Sequence, residues 1–330
     1  MEILVHSDPT TLSYWLNWSF LICAIWVLTP MLIASYLIWK YEFSVTPASV
    51  KRRSQQESAA FVYDDKVWRP CLKQIHPLWL LIFRAIAFFL LLGTLIADGV
   101  VNGGSILYHY YTQWTLILVT IYFGLGSLFS MYGCYQHFHV QYVGIDAEQG
   151  LHVPLTYQET AYKVTADKTS NHLGKNGNFH MGIFCHAFQV IFQMCGGAVT
   201  LTDFVYWSVI FPFLTVKDYD SNYLTVLTHT INAVLLLGDT ALNCLRFPWF
   251  RISYFILWTG TYVIFQWILH ACTSLWWPYP FLDLSLPYAP LWYLLVALMH
   301  IPCYCVFALI VESKHFILSR CFPRSYQGLR

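Results

Sequence analysis

The sequence predicts an all-α protein that crosses a membrane as a bundle of about seven helices, and three observations lead to this fold class. Hydrophobic residues make up 57% of the 330 residues and charged residues only 11%, less than half of the roughly 25% found in soluble domains. The mean hydropathy is +0.51. Long stretches also lack Asp, Glu, Lys and Arg, and about 20 apolar residues suffice for a transmembrane helix. The charge-free stretches are 14–39, 99–145, 176–202, 252–282 and 284–311.

These stretches and the apolar runs beside them position the spans. Each is far longer than the roughly ten-residue alternating strands of a membrane barrel, so helices are predicted throughout. The fourth span is long, and we expect a tilt or a break at Gly196-Gly197. The first has no basic segment before it and no small-residue cleavage site after it, which favours a span over a cleaved signal. The predicted helices are roughly 14–38, 78–100, 113–134, 183–212, 222–243, 253–275 and 291–311.

Basic residues give the predicted orientation. Sixteen of the 18 Lys and Arg residues fall between spans one and two, three and four, five and six, or in the C-terminal tail. Only Lys217 lies on the opposite side, and Arg84 lies inside span two. Because Lys and Arg accumulate in cytoplasmic loops, we predict the N-terminus outside and the C-terminus in the cytoplasm.

The domain organisation follows from this topology. We predict a short outer N-terminus at 1–13, a helix bundle at 14–315 and a cytoplasmic tail at 316–330. Cytoplasmic loops fall at about 40–77 and 138–181. Neither loop is large enough for a separate catalytic domain. The localisation that follows is an integral, multi-pass protein of the plasma membrane or the endoplasmic reticulum.

Composition and motifs also limit the partners. With 18 basic and 17 acidic residues, no net charge attracts nucleic acid. The ten cysteines are scattered without a CxxC pair, and no phosphate-binding loop occurs, so we assign no cofactor and no metal ligands. Membrane lipids are the expected partners, and the sequence leaves the oligomeric state open.

Ionisable side chains at membrane depth are costly, and their cost marks them as functional candidates. Arg84 lies near enough to the inner boundary for its guanidinium to reach the headgroups. His300 precedes Pro302 by two residues and is expected to satisfy carbonyls that the proline leaves unpaired. Asp239 and His186 both lie toward the inner side and can form a structural pair. The full set is Arg84, Asp98, His186, Asp203, His229, Asp239, His270 and His300.

Five polar residues on five predicted helices share the outer half of the bundle: Asp98, Thr112, Asp203, His229 and His270. A threonine hydroxyl becomes a nucleophile when a histidine removes its proton. A carboxylate such as Asp98 or Asp203 can orient that imidazole. A site at this depth meets acyl chains, so a lipid ester is the natural substrate. The alternative is that Thr112 and His229 only pack helices together.

Two segments resemble a known group of membrane proteins. Residues 103–105 read Gly-Gly-Ser, and residues 110–114 read Tyr-Tyr-Thr-Gln-Trp. Residues 228–230 read Thr-His-Thr and are followed by Asp239. Their order resembles the androgen-induced / androgen-dependent TFPI-regulating family and the related rolling stone family. Residues 277–282, Trp-Pro-Tyr-Pro-Phe-Leu, are similar to a segment of the former, and the resemblance covers roughly residues 78–315.

The resemblance implies a fold of membrane helices and a candidate activity. Members of the androgen-induced branch are hydrolases of fatty acid esters of hydroxy fatty acids. By this resemblance the catalytic threonine is Thr112 and the catalytic histidine is His229. Ser105 and the backbone near Gly103-Gly104 are candidate donors to the oxyanion.

Other features are closer to the rolling stone branch, which is linked to cell fusion and has no established reaction. Val226 occupies the position of a second histidine in the hydrolase branch, and the polar loop at 40–77 and one more span lengthen the chain. The sequence therefore leaves two main hypotheses, a lipid-ester hydrolase and a non-enzymatic protein for signalling, adhesion or fusion. A transporter or channel is a third.

Overall fold

The computed structural model describes residues 9–44, 67–104, 109–148, 175–213 and 223–327. Helices dominate these residues, and the only β-type pairs among them are two isolated bridges. The central parts of the two predicted cytoplasmic loops, 45–66 and 149–174, lie outside the described residues. The long helices are α1 (Trp18–Ile38), α2 (Pro77–Val101), α3 (Tyr111–Glu148), α4 (Lys175–Val205), α5 (Tyr223–Leu242), α6 (Ile252–Cys272) and α7 (Ala289–Cys321).

The predicted all-α, multi-pass architecture is confirmed at the level of its helices. Six helices in the described part of the chain are long and apolar enough to cross a membrane, where the sequence predicted seven spans. The helix at the position of the predicted fifth span is α5, whose apolar part, Val226–Leu242, is shorter than the others. The six are Trp18–Phe43, Pro77–Val101, Tyr111–Phe138, Gly182–Ile210, Trp249–Cys272 and Ala289–Cys321.

Side-chain contacts show that α2 and α3 run antiparallel. Asp98 near the end of α2 contacts Gln113 at the start of α3, and Arg84 near the start of α2 contacts Ser130 further along α3. The bundle therefore has two halves. The Thr112 half contains the C-terminal parts of α2, α4 and α6 and the N-terminal parts of α1, α3, α5 and α7. The Arg84 half contains the opposite ends of these helices.

The predicted break at Gly196-Gly197 is wrong, because α4 is continuous through both glycines. They are packing positions. A Cβ atom on Gly196 would lie 2.6 Å from the ring of Phe307, and one on Gly197 would lie 2.6 Å from the ring of Phe255. The absence of side chains lets α6 and α7 approach α4 closely, as small residues do in membrane bundles.

Two helices extend well past their predicted ends. The third span was predicted to end at residue 134, but α3 continues to Glu148, and the seventh was predicted to end at 311, but α7 continues to Cys321. Span prediction follows apolar composition, whereas a helix can continue into water once its backbone hydrogen bonds have formed. Part of the loop predicted at 138–181 is therefore helical.

Candidate functional site

The Arg84 half contains a buried ion pair. Arg84 and Asp239 are both fully buried, and the guanidinium Nε donates to the Asp239 carboxylate at 2.7 Å. The guanidinium Nη1 donates to the Val67 carbonyl and to the Ser130 hydroxyl, each at 2.9 Å. The predicted snorkelling of Arg84 is therefore wrong, because its charge is neutralised inside the bundle.

The Asp239 carboxylate has further donors. It accepts hydrogen bonds from the Tyr122 hydroxyl and, at 2.8 Å, from the side-chain amide of Asn243. The predicted pair between His186 and Asp239 is wrong, since the His186 Nε2 atom lies 3.4 Å from a carboxylate oxygen of Glu42. Arg84, Tyr122, Ser130, Asp239 and Asn243 form a set that we call the ion-pair cluster.

In the Thr112 half, Asp98 is buried in a hydrogen-bonded setting. Its carboxylate accepts from the side-chain amide of Asn102 at 2.7 Å and from that of Gln113 at 2.5 Å. The side-chain oxygen of Gln113, Oε1, is buried and has no hydrogen-bond partner among the described residues. The Asp98 carboxylate thus links α2 to α3 through Gln113. The described structure shows no contact between this carboxylate and the His229 imidazole.

Thr112 lies at the start of α3 and is nearly completely buried. Its hydroxyl lies 3.4 Å from the Tyr279 hydroxyl, in the segment between α6 and α7. The neighbouring Thr115 meets Thr202 of α4, with 3.3 Å between the two hydroxyl oxygens. Thr112 therefore presents its hydroxyl toward the segment between α6 and α7 and not toward lipid.

His229 on α5 is also buried, and its ring lies flat against Tyr206 at the end of α4. The ring centroids are 3.7 Å apart and the planes are inclined by 8°. The Nδ1 atom of His229 has no hydrogen-bond partner within the described structure. Stacking fixes the plane of the imidazole while this nitrogen keeps its hydrogen-bonding capacity.

Thr112 and His229 lie at the same level of the bundle. The Thr115–Thr202 contact aligns antiparallel α3 and α4, so Thr112, one turn before Thr115, faces the turn that holds Tyr206. Within the described residues, no hydrogen bond joins Thr112 to His229.

A second contact gives the same level independently. Tyr122 of α3 donates to Asp239 of α5, and the two helices run in the same direction. Thr112 precedes Tyr122 by ten residues, and His229 precedes Asp239 by ten. At 1.5 Å per residue, both lie about 15 Å along the bundle from the ion-pair cluster.

Several buried polar atoms near this level have no hydrogen-bond partner. Asp203 and Asn232 belong to neighbouring parts of α4 and α5, about one turn from Tyr206 and His229. A buried polar atom without a partner costs about 1–3 kcal/mol, so such atoms are normally paired with protein or water. Four of the eleven partnerless atoms among the described residues lie at or near this level. The partnerless atoms of the described residues here are Gln113 Oε1, Asp203 Oδ1, His229 Nδ1 and Asn232 Oδ1.

His270 belongs to a separate aromatic group. Its Nδ1 lies 2.8 Å from the Gln266 carbonyl, and its ring stacks on Trp277 with 3.8 Å between centroids. His109, in the segment before α3, stands beside it with 6.0 Å between ring centroids. Burial lowers the pKa of His109, and the nearby His270 lowers it further. The five outer-half residues therefore form more than one group.

An apolar pocket with a cavity volume of about 70 Å³ lies between α1, α6 and α7. His300 lines it, and its Nδ1 lies 2.8 Å from the Val296 carbonyl, one turn back in its own helix. The carbonyl that Pro302 leaves unpaired is four residues before the proline, so the predicted partner of His300 is wrong. The lining includes neither Thr112 nor His229.

Sequence reasoning missed Tyr206, Asn232 and Tyr279 as members of the site. Tyr206 and Tyr279 were missed because their roles depend on contacts between distant segments. Asn232 lies three residues after His229, so helical spacing was a usable signal for it. Gly103 has a φ of +85°, which explains a glycine there, and Ser105 lies outside the described residues.

Comparisons with protein-family models, with curated proteins and with solved structures found no match to this chain.

Proposed function

We propose that this multi-pass membrane protein binds a lipid ester in the Thr112 half of the bundle and hydrolyses it. The observation that supports the proposal most is the group of partnerless polar atoms at the level that Thr112 and His229 share. A site that is apolar overall but holds a few unsatisfied polar groups suits a ligand with one polar function on a long chain. An ester group between acyl chains has this character.

The proposal includes seven spans with the Thr112 half on the outer side. The 20 residues of α5 reach about 30 Å, the thickness of the hydrocarbon core. The contacts of α5 support its role as a seventh span, because the helix runs from the level of Tyr206 to the ion-pair cluster. The orientation rests on the positive-inside rule.

The proposed chemistry uses Thr112 as nucleophile and His229 as base, the pair that the family resemblance also implies. His229 accepts the hydroxyl proton as the threonine oxygen bonds to the ester carbonyl carbon. Collapse of the tetrahedral intermediate breaks the bond to the alcohol, which leaves with the proton from His229. Water then attacks the acyl-threonine with the help of the same imidazole, and the fatty acid and Thr112 are released.

The oxyanion needs a hydrogen-bond donor near the attacking oxygen. Tyr279 meets this requirement, because its hydroxyl lies 3.4 Å from the Thr112 hydroxyl oxygen. Phe281 stacks on Tyr279 and also lines the apolar pocket. The pocket therefore adjoins the Thr112 side of the site through these two rings.

The test compares the purified wild-type protein with Thr112→Ala, His229→Ala and the double variant on branched and unbranched long-chain esters. We expect each single variant to lose about 10²–10⁴ in turnover. The double variant should be no worse than either, because a nucleophile and its base act as one unit. Thr230→Ala is the matched control, since Thr230 is exposed on the turn beside His229. Equal turnover by wild type and Thr112→Ala would contradict the mechanism.

A second candidate is a non-enzymatic membrane protein of the rolling stone type. Two observations favour it: the Thr112 hydroxyl already lies beside Tyr279, and the apolar pocket is lined by neither Thr112 nor His229. Absence of wild-type turnover on the full ester panel, with a photoactivatable fatty ester still crosslinking to the Thr112 half, would support this candidate over the hydrolase.

A further inference from the structure

We propose that Cys71, Cys244 and His315 form a zinc site at the far end of the Arg84 half. The two sulfur atoms and one imidazole nitrogen all lie within 4.8 Å of one another. The three residues come from separate parts of the chain: the segment before α2, the segment after α5, and the last turns of α7. Tetrahedral zinc takes thiolate and imidazole ligands at about 2.0–2.3 Å, and donor atoms this close together can converge on one ion with small side-chain shifts.

The backbone around the cluster holds the ligands in place. The Cys71 amide donates to the Leu242 carbonyl at 2.9 Å, and the Cys71 carbonyl accepts from the Gln327 amide at 2.9 Å. Leu72 also forms a β-bridge with Tyr326. The segment before α2 is thus fixed between the end of α5 and the residues after α7. A preorganised site of this kind binds a metal without a large ordering cost.

The hydrogen bonds of His315 leave one nitrogen suited to a metal. Nε2 lies 3.0 Å from the Leu245 carbonyl, and a carbonyl can only accept, so Nε2 carries the proton. Nδ1 then presents its lone pair, which now accepts from the Tyr326 hydroxyl at 2.8 Å. Metal-binding histidines commonly donate their second nitrogen to a carbonyl in this way, which fixes the tautomer.

The protons and charges of the proposed step balance. Zn²⁺ replaces the two thiol protons, and two protons leave to solvent, so the ion with its two thiolates and one neutral imidazole carries no net charge. The Cys71 thiol now donates to the Asn243 carbonyl at 2.9 Å. That carbonyl keeps a donor after the thiol proton leaves, because the Lys314 ammonium also donates to it at 2.9 Å. Water or the Tyr326 hydroxyl can occupy the fourth position.

The types of ligand atom indicate which class of metal ion the site would bind. Two thiolates and an imidazole favour zinc and other borderline or soft ions over magnesium and calcium, which prefer oxygen ligands. Cys244 follows His229 by 15 residues, so the site lies at the opposite end of α5 from the proposed hydrolytic residues and does not depend on the proposed hydrolysis. Its role is to tie three segments together at one end of the bundle.

The first test measures metal bound to the full-length protein, purified in detergent with a reductant and incubated with Zn²⁺. We expect about one zinc ion per chain by elemental mass spectrometry. Cys71→Ser, Cys244→Ser and His315→Ala should lose most of it. Cys321→Ser is the matched control, since Cys321 ends α7 but is exposed and outside the cluster.

A second test does not require the variants to fold. Wild-type protein loaded with Co²⁺ should show a thiolate-to-cobalt charge-transfer band and the strong visible bands of tetrahedral cobalt. Absence of these bands together with absence of bound zinc in reduced wild-type protein would overturn the proposal. Zinc binding by folded Cys71→Ser at the wild-type level would also overturn it.

Discussion

Two polar groups, about 15 Å apart along the same helices, differ in how completely their hydrogen bonds are satisfied. In the ion-pair cluster, the Arg84 guanidinium and the Asp239 carboxylate each have several partners. At the level of Thr112 and His229, the described residues leave four buried side-chain atoms without a partner. Both groups lie in an apolar bundle, where an unpaired polar atom is costly.

The difference separates a structural role from a binding role. The polar atoms of the ion-pair cluster already have hydrogen-bond partners within the protein. The cluster therefore holds helices together and leaves no atom to recognise a ligand. Buried polar atoms without hydrogen-bond partners lower the stability of the fold, and natural proteins retain such atoms mainly at functional sites. The comparison supports a stabilising role for the ion-pair cluster and agrees with the proposed ligand binding near Thr112 and His229, and substitutions in each can test this division of roles.

The largest expected effect is on stability in the ion-pair cluster. Asp239→Ala leaves the Arg84 guanidinium buried without its counter-charge, and loss of one partner of such a pair costs about 3–5 kcal/mol. Asp203→Ala is the matched control, because its Oδ1 atom has no partner to lose. Thermal unfolding in detergent measures both. Equal destabilisation by the two substitutions would contradict the division of roles.

The same cluster allows a control for the removed side-chain volume. The double variant Arg84→Met/Asp239→Leu should be less destabilised than Asp239→Ala, because no isolated charge remains in the interior. A double variant that unfolds as readily as the single one would mean that packing, and not charge, dominates at this position.

Much of the fold could be predicted from the sequence, because a bilayer dictates the length and composition of its helices. The charge-free stretches located five of the six described helices that qualify as spans, and an apolar run located the sixth, Pro77–Val101. The pairing of Arg84 with Asp239 could not be predicted, since 155 residues separate them and no local pattern records which helices meet. The prediction of a break at Gly196-Gly197 was wrong for the same reason. These glycines make room for the rings of Phe307 and Phe255, which belong to other helices.

The site was predictable only in part. Helical depth placed Thr112 and His229 near one level, and the register of α3, α4 and α5 agrees with that. Their neighbours Tyr206 and Tyr279 were missed because each joins the site through a contact between helices. The triad of Cys71, Cys244 and His315 has no sequence spacing that indicates metal binding, and only the fold brings it together.

The next effect concerns activity in the Thr112 half. Tyr206→Leu removes the flat ring that holds the His229 imidazole, and a displacement of about 1 Å in a catalytic group can cost about 10²-fold in rate. Tyr206→Phe keeps the ring and should retain most of the turnover. Ester hydrolysis by the two folded variants is the measurement. Similar losses in both would show that stacking is not what positions His229.

A smaller effect should distinguish a tightly packed glycine from one that has open space beside it. A Cβ on Gly133 of α3 would lie 2.1 Å from the Trp68 ring, whereas a Cβ on Gly93 of α2 would meet nothing within 4 Å. Overpacking of a core costs about 1–3 kcal/mol. Gly133→Ala should therefore lower the unfolding temperature and disturb the adjacent Val67 carbonyl that binds Arg84, while Gly93→Ala should change little. The reverse order would contradict the tight packing of the Arg84 half.

The smallest effect is the pH dependence of stability at the end of the Thr112 half. Burial lowers the pKa of His109, and the rings of His270, Trp276 and Tyr110 face it. The unfolded chain therefore binds the proton first, near pH 6.5, so stability should fall as the pH drops below about 6.5.

His109→Gln removes the titrating group and should flatten this dependence. The Nε2 atom of His109 has no partner in the described structure, so no carboxylate compensates the charge when the ring is protonated. The measurement is the unfolding temperature of both proteins between about pH 8 and about pH 5, a range that brackets the ordinary histidine pKa. Parallel curves for wild type and His109→Gln would show that other groups carry the pH dependence. A flatter curve for the variant would show that protonation of the buried His109 ring is what destabilises the folded protein at low pH.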